Sequence, residues 1–389
     1  MRLLFLAPSL PSPVVGGGAL RMFHMVRFLG ERFDVDLVAP AVEGMADAAL
    51  RLRGCCAEME LVPPAPGAAR RRLLRLGPYE RDPALVEAVR RRLATRSYAA
   101  VQVEKPAMLP YLPPALHTPV VLDTFAYGLT GTFRALRHQR GPATRARNLL
   151  RLARFAAFDA LCWPATHCIL VVSEVDRERC LRARPHRDVL VIPNGVDCSA
   201  VRPRPAHAAA PPVLLFTGDM AFDPNIEAAS VLTSRIFPKV RRAHPDAELR
   251  LVGRNPAPRV LALRGPGITV TGDVPDMVPY LQAATVYVAP LTTGAGTRTK
   301  LLEAMAAGLP IVTTGIGIEG IEAAHDREVL IADDPSAAAA AILRLLDDPS
   351  ERRRLGAAAR RLAEERYDWR RCLAPLEALY MELLPARAC

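Results

Sequence analysis

Short apolar runs rich in Val, Ile and Leu, closed by Gly, Pro, Asp or Asn, alternate along this chain with longer stretches of helical period. A strand buried on both faces reads as such a continuous run, so the alternation predicts parallel strands joined by crossover helices. In the first half the strands fall at residues 3–6, 35–38, 101–103, 120–122, 169–172 and 189–192. The second half repeats the rhythm at 213–216, 248–252, 268–271, 285–288, 311–313 and 329–331. Each half therefore suffices for one Rossmann-like, doubly wound α/β domain.

Between the halves, Pro193-Asn194-Gly195-Val196-Asp197 and the Pro- and Ala-rich stretch 201–212 suit an exposed connection. The expected organisation is a first domain over 1–192, a linker over 193–212, a second domain over 213–360 and a helical segment over 361–389. After Pro349 come two helices, at 352–365 and 367–384, with Trp369 and Tyr380 on an apolar face that either domain can receive. Two such domains facing each other make a cleft at the carboxyl ends of both sheets, where open α/β sheets bind ligands.

Length and composition agree: 389 residues with 50% hydrophobic and 23% charged residues fit two globular domains and exclude extensive disorder. No run approaches the ~20 apolar residues that span a bilayer, and the apolar start is too short for a secretory signal. The expectation is a cytoplasmic protein whose residues 3–7 form a first strand. Eight cysteines show neither a Cys-x-x-Cys pair nor zinc-type spacing, which leaves reduced thiols.

The net charge of +11 lies in the first half, where residues 1–195 carry 28 Lys and Arg against 17 Asp and Glu. Only Lys105, Lys239 and Lys300 are lysines, so the arginine excess is chain-wide and weak as an argument about function. The arginine-rich segments 70–76, 90–92 and 134–154 mix with leucines. They read either as helices resting on an anionic membrane, at the inner face of the cell membrane, or as solvated faces of amphipathic helices. No recognition motif or aromatic platform accompanies the charge, which argues against nucleic acid.

The segment richest in chemistry is Gly294-Ala295-Gly296-Thr297-Arg298-Thr299-Lys300-Leu301-Leu302-Glu303, followed by Ala304-Met305-Ala306-Ala307-Gly308-Leu309-Pro310. A glycine loop opening a helix offers free N–H groups and the positive end of a dipole, which suits a phosphate. Cations at a helix N-terminus are unfavourable without an anion, so Arg298 and Lys300 point to one unless both are simply solvated. A carboxylate at Glu303 can accept both hydrogen bonds of a ribose diol. In the first half, Gly16-Gly17-Gly18 precede a helix expected near Ala19. Strand 120–122 ends at Asp123, which either orients an acceptor hydroxyl or caps a turn.

These residues resemble a family. The stretch 285–314, centred on Lys300-Leu301-Leu302-Glu303-Ala304-Met305-Ala306-Ala307-Gly308-Leu309-Pro310-Ile311-Val312, is similar to the donor-site signature of the retaining GT-B glycosyltransferases of family 4, the glycosyl transferases group 1. Val172-Ser173-Glu174, Ile192-Pro193-Asn194-Gly195-Val196-Asp197, Leu251-Val252-Gly253-Arg254, Thr271-Gly272-Asp273-Val274-Pro275-Asp276 and Tyr367-Asp368-Trp369 add to the resemblance in the expected order.

The resemblance implies a GT-B fold, with an acceptor domain first and a nucleotide-sugar donor domain second. It implies that Glu303 binds the ribose of a nucleotide-diphosphate sugar and that backbone amides of the loop and helix start, from Gly294, Ala295, Gly296 and Thr297 to Leu301 and Leu302, hold the diphosphate and sugar. Gly17, Gly18 and Gly218 would approach the phosphates, while the segment from Gly272 to Val274 flanks the nucleobase and Gly253 and Arg254 lie nearby. The family's first glutamate is replaced by Ala295, and its Arg and Lys after the first strand of the second domain are absent from Phe216-Thr217-Gly218-Asp219-Met220. Arg298 and Lys300 then stand in as the diphosphate clamp.

The implied reaction moves a sugar from a nucleotide-diphosphate sugar to an acceptor hydroxyl on a glycan, a lipid-linked saccharide or a small molecule, with retention. Arg298, Lys300 and Asp123 are the candidate catalytic groups. No cofactor is needed beyond the co-substrate, and no metal if the cations carry the charge. A sugar-nucleotide epimerase of the same fold and a non-catalytic nucleotide-sugar-binding or membrane-assembly protein are the alternatives.

Overall fold

The computed structural model describes all residues except 14–15, 43, 66–80, 125–145, 147, 151, 155, 158–165, 184–187, 204–210, 295 and 384–389. The chain divides into two compact units, Met1–Pro193 with Leu373–Cys389, and Asn194–Cys372.

The first unit is a seven-stranded parallel sheet of β1 (Arg2–Leu6), β2 (Asp34–Pro40), β3 (Glu58–Val62), β4 (Ala100–Glu104), β5 (Val120–Asp123), β6 (Cys168–Val171) and β7 (Asp188–Val191). Their spatial order is β3-β2-β1-β4-β5-β6-β7. The order reverses between β1 and β4, which makes the carboxyl ends of those two strands the switch point where such sheets take ligands. Helix α1 (Gly16–Gly30) follows β1 and starts earlier than expected, so Gly17 and Gly18 lie in its first turn. Helices α2 (Pro83–Thr95) and α3 (Glu174–Ala183) follow later strands.

Strand β3 carries glutamates at alternate positions and did not read as apolar. It lies at the sheet edge, where only β2 pairs with it. Its carboxylates meet the arginines of α2: Arg92 Nε reaches Glu60 at 2.7 Å, Arg92 Nη1 reaches Glu58 at 2.5 Å, and Arg91 also pairs with Glu60. Arg96 pairs with Glu58 and, at 3.1 Å, with the fully buried Asp36, which also accepts from Tyr98. Arg91 and Arg92 thus tie helix to edge strand. Asp34-Val35-Asp36 has the spacing of an Asp-x-Asp metal motif, yet Asp36 belongs to this arginine cluster. The segments 70–76 and, for the most part, 134–154 lie outside the described residues.

The second unit is a six-stranded parallel sheet of β8 (Val213–Thr217), β9 (Glu248–Val252), β10 (Ile268–Val270), β11 (Val286–Ala289), β12 (Ile311–Thr313) and β13 (Leu330–Ile331), in the order β10-β9-β8-β11-β12-β13. Here the switch point lies between β8 and β11. All five residues of β8 are buried, as a central strand requires, and each large apolar side chain so placed contributes about 1.5–3 kcal/mol. Helices α4 (Asp223–Val231) and α5 (Thr299–Ala306) follow β8 and β11.

The chain closes through α6 (Pro349–Leu362), a π-helical turn at Ala363–Tyr367 and α7 (Trp369–Glu382). Two of the motifs far apart in sequence meet here: Val196 N donates to Tyr367 O at 2.7 Å and Trp369 N to Val196 O at 3.2 Å. Gly195 lies under the indole, where a Cβ would come within 2.6 Å of Trp369. From Leu373 onward α7 belongs to the first unit. Tyr380 is fully buried there, its hydroxyl donating to Gln102 and its ring edge-on to Phe33, while Glu377 pairs with Arg32 at 2.8 Å.

Among the described residues no helix is long and apolar enough to cross a membrane. The described cysteines, at 55, 56, 168, 180, 198 and 372, are free thiols, and Cys162 and Cys389 lie outside the described residues.

Candidate functional site

Three loops at the carboxyl ends of β8, β9 and β10 are stitched together. Gly218 N donates to Val252 O at 3.1 Å, Met220 N to Arg254 O at 2.8 Å, and Arg254 Nε to Asp219 Oδ2 at 3.2 Å. Gly253 N donates to Thr271 Oγ1 and Asn255 N to Asp273 Oδ1, which brings in the loop carrying Val274. Val274 itself leans on the hydrophobic core.

Across the switch point, the loop after β11 delivers helix α5. Arg298, at its N-cap, folds back so that Nη1 donates to Gly296 O at 2.5 Å, and its guanidinium passes beside Gly294. Thr297 is buried. Lys300, in the first turn, spans to the β8 side: Nζ donates to Asn225 Oδ1 at 2.7 Å and stands 4.4 Å from the centre of the Phe216 ring. Gly218 leaves the room for this, since a Cβ there would lie 2.6 Å from Nζ. Lys300, Arg298, Gly294, Gly296, Gly218 and Arg254 are thus assembled by one unit.

Burial pulls the Lys300 amine down to about 7, Arg298 adding to the shift while Glu303 and Asp219 oppose it. Burial likewise pushes the Glu303 carboxyl up to about 7 against the attraction of Lys300. Beneath Glu303, the buried Tyr287 hydroxyl is 2.7 Å from Thr217 Oγ1, and burial with the Glu303 charge raises it above the usual phenol range. A cation and an anion both poised near neutrality will respond to a bound ligand of either charge.

Leu301 and Leu302 bury their side chains in the core, and their N–H groups donate to Arg298 O at 2.9 and 3.5 Å. The helix-start amides left for an anion are those before them. One expectation is corrected: Asp123 is not an open, acceptor-facing carboxylate. It is wholly buried and accepts from Arg21 Nε of α1 at 2.6 Å, while Arg21 Nη1 reaches Pro193 O at 3.1 Å. Gly17, Gly18 and Asp123 belong to the first unit, and Ala295 lies outside the described residues. Ser173 proves to be an N-terminal cap for α3, bonding Asp176 through both its side chain and Asp176 N.

Sequence reading passed over Asn225 and Phe216. Asn225 follows Pro224 at the start of a helix, where Asn is ordinary, and Phe216 reads as strand core; only the fold puts both against Lys300. Among the described residues no group of three or more His, Cys, Asp or Glu is placed to hold a metal ion.

The family model described as Glycosyltransferase Family 4 matches residues 15–200, and the one described as Glycosyl transferases group 1 matches residues 211–348. A 44.6 kDa protein of the cps region of Klebsiella pneumoniae is 25% identical over 130 residues, 31% of this chain; the chain spans about a third, 34%, of that relative's length. Sucrose-phosphate synthase from Thermosynechococcus elongatus superposes with a TM-score of 0.74 at 18% identity, over 98% of this chain and 99% of that one. Anabaena HepE in complex with UDP and glucose gives 0.68 at 15% identity, over 98% and 100%. With two parallel-sheet Rossmann-like domains as in those GT-B structures and a family model on each, the chain belongs to the family 4 glycosyltransferases, the glycosyl transferases of group 1.

Proposed function

We propose that this protein transfers a sugar from a nucleotide-diphosphate donor to an acceptor hydroxyl, with retention of anomeric configuration. The observation that carries the reading is the convergence of Lys300 and Arg298 with Glu303 at the switch point of the second unit. Glu303 accepts from the ribose diol, and the loop at Gly294 and Gly296 with the first amides of α5 receives the diphosphate. Gly218, Arg254 and Val274 border the nucleotide on the β8, β9 and β10 loops.

Breaking the glycosidic bond moves charge onto the leaving diphosphate, so the main demand is electrostatic stabilisation of its oxygens. Arg298, Lys300 and the helix N-terminus answer it without a metal ion in the scheme. Acceptor binding falls to the first unit, where Asp123 acts through Arg21 on α1. The acceptor class is a saccharide, free or lipid-linked, or a small hydroxylated molecule.

The test is the shift in melting temperature with UDP, GDP, ADP, TDP and CMP, UDP first because HepE has been seen with UDP-glucose. A ligand at 100 times its Kd adds about 2.7 kcal/mol to the native state. A selective shift names the base; no shift with any diphosphate sinks the donor reading. Product analysis then separates transfer from epimerisation, which yields a new sugar nucleotide without acceptor, and from binding alone, which leaves the donor intact.

Glu303→Ala should weaken nucleoside binding by roughly 1.5–3 kcal/mol, the range for a hydrogen bond to a charged group. Calorimetric titration with the nucleoside measures it, and an unchanged affinity removes Glu303 from the site.

Between pH 7 and 9 the ratio of diphosphate to nucleoside affinity should fall with rising pH. The diphosphate selects protonated Lys300, whose amine titrates at about 7 in the free protein, so binding takes up a proton. Glu303 acts on nucleoside and diphosphate alike and cancels in the ratio. In Lys300→Arg the ratio should be flat, and a slope persisting there assigns the proton elsewhere.

A further inference from the structure

Asn225 is nearly fully buried in the first turn of α4, and both ends of its amide are held. Nδ2 donates to Asp219 O at 2.8 Å, which fixes the amide plane and turns Oδ1 toward Lys300 Nζ at 2.7 Å. The reverse orientation would set Nδ2 against an ammonium, donor against donor. The amine is held by Oδ1 and by the Phe216 ring, in the room that Gly218 leaves open.

What stands at this position is a neutral acceptor. A carboxylate of the same shape would aim the amine equally well, but it would form a permanent ion pair and compensate the charge before any ligand arrived. Of the carboxylates around Lys300, Asp219 is already engaged by Arg254, and Glu303 sits along the same helix. Arg298 is the neighbouring cation. An amide therefore directs the amine without adding a negative charge of its own beside it.

We propose that Asn225 is a positioning residue that aims Lys300 Nζ into the site at the β8–β11 switch point and reserves its charge for an anionic ligand of the nucleoside-diphosphate class. The proposal rests on the donor reading given above. It goes beyond that reading in assigning the diphosphate preference to a residue that need not touch the ligand.

The test pairs the near-isosteric Asn225→Asp with Asn225→Ala, using UDP and uridine, or the corresponding diphosphate and nucleoside of whichever base the melting screen selects. Asn225→Asp should lose about tenfold or more in diphosphate affinity while nucleoside affinity stays within twofold, and Asn225→Ala should show a smaller loss with the same selectivity. A second readout needs no ligand. The chain has only three lysines, so ¹³C-methylated amines give few, separable NMR titrations. The Lys300 signal should titrate near neutrality in the wild type and about one pH unit or more higher in Asn225→Asp, because a carboxylate holds the proton.

Loss of diphosphate and nucleoside affinity by the same factor in Asn225→Asp overturns the proposal, as does an unmoved Lys300 titration. If the wild type binds no nucleoside diphosphate, the donor reading falls and this proposal with it. If the wild type binds UDP and both variants match it, only the role of Asn225 is lost.

Discussion

Replacing Arg21 with methionine should lower the stability of the first unit by about 3–5 kcal/mol at neutral pH, the loss found when one partner of a buried ion pair is removed. The guanidinium and Asp123 are both fully buried, 2.6 Å apart. Asp123 is also the register partner of Glu104 across β4 and β5, so two carboxyls lie beside the one guanidinium. Burial and the Asp123 charge hold the Glu104 carboxyl well above the usual range, Gln102, Arg21 and Lys105 opposing the shift. Gln102 Nε2 donates to Glu104 Oε1 at 2.8 Å.

The sign of the pH dependence follows. A carboxyl raised in the folded state contributes stability below its unfolded pKa and loses it as pH rises. Removing Arg21 takes a counter-charge from two buried acids, so the deficit should be smallest in acid and grow toward neutrality. Asp123→Asn should lose less, because its amide stays in the cluster and Glu104 is then free to ionise beside Arg21. Urea unfolding of the three proteins between pH 4.5 and 7.5 measures this. Equal losses in the two variants, independent of pH, would reduce the pair to ordinary packing.

The strands were readable from sequence wherever both faces are apolar. Central strands such as β1, β8 and β11 carry uninterrupted hydrophobic runs because helices cover both sides of a parallel sheet. Strand β3 escaped for the same reason in reverse: at an edge its glutamates are solvated or paired with Arg91, Arg92 and Arg96, and no apolar run is required. Arg298, Lys300 and Glu303 were legible because the glycines, the cations and the carboxylate lie within ten residues of each other, on one loop and helix. Asn225 lies 75 positions from Lys300, and only the β8–β11 pairing joins them.

Asp123 shows a different limit. Its place at the end of β5 was readable, but its burial depends on Arg21, more than a hundred residues away. A carboxylate at a strand end looks the same in sequence whether it faces solvent or a guanidinium. A helix-start motif likewise does not say which amides the preceding carbonyl takes; here Arg298 O takes those of Leu301 and Leu302. The pairing of Gly195 and Val196 with Tyr367, Asp368 and Trp369 gives those motif segments a structural reason, holding the chain where it passes from one unit to the other and back.

Gly253→Ala should be the most damaging single methyl group in the second unit, destabilising it by about 3 kcal/mol or more and lowering nucleoside diphosphate affinity at least tenfold. The position has φ +148°, where a side chain is strained by about 1–3 kcal/mol. Its Cβ would also fall 1.8 Å from Gly218 O, a backbone atom that no rotamer change can clear, adding the 1–3 kcal/mol typical of overpacking. Relief requires the β9 loop to move off the β8 loop. That motion strains the bonds from Gly218 N to Val252 O and from Met220 N to Arg254 O, and shifts Gly218 relative to Lys300 and Asn225. Stability and ligand affinity are therefore expected to fall together. Gly272→Ala is the matched control, one loop further along the same edge, where a Cβ meets nothing within 4 Å. It should melt within about 2 °C of the wild type, an effect of a few tenths of a kcal/mol. Should Gly253→Ala melt like Gly272→Ala and bind the nucleotide like the wild type, the contact between the β8 and β9 loops does not set the geometry of the site.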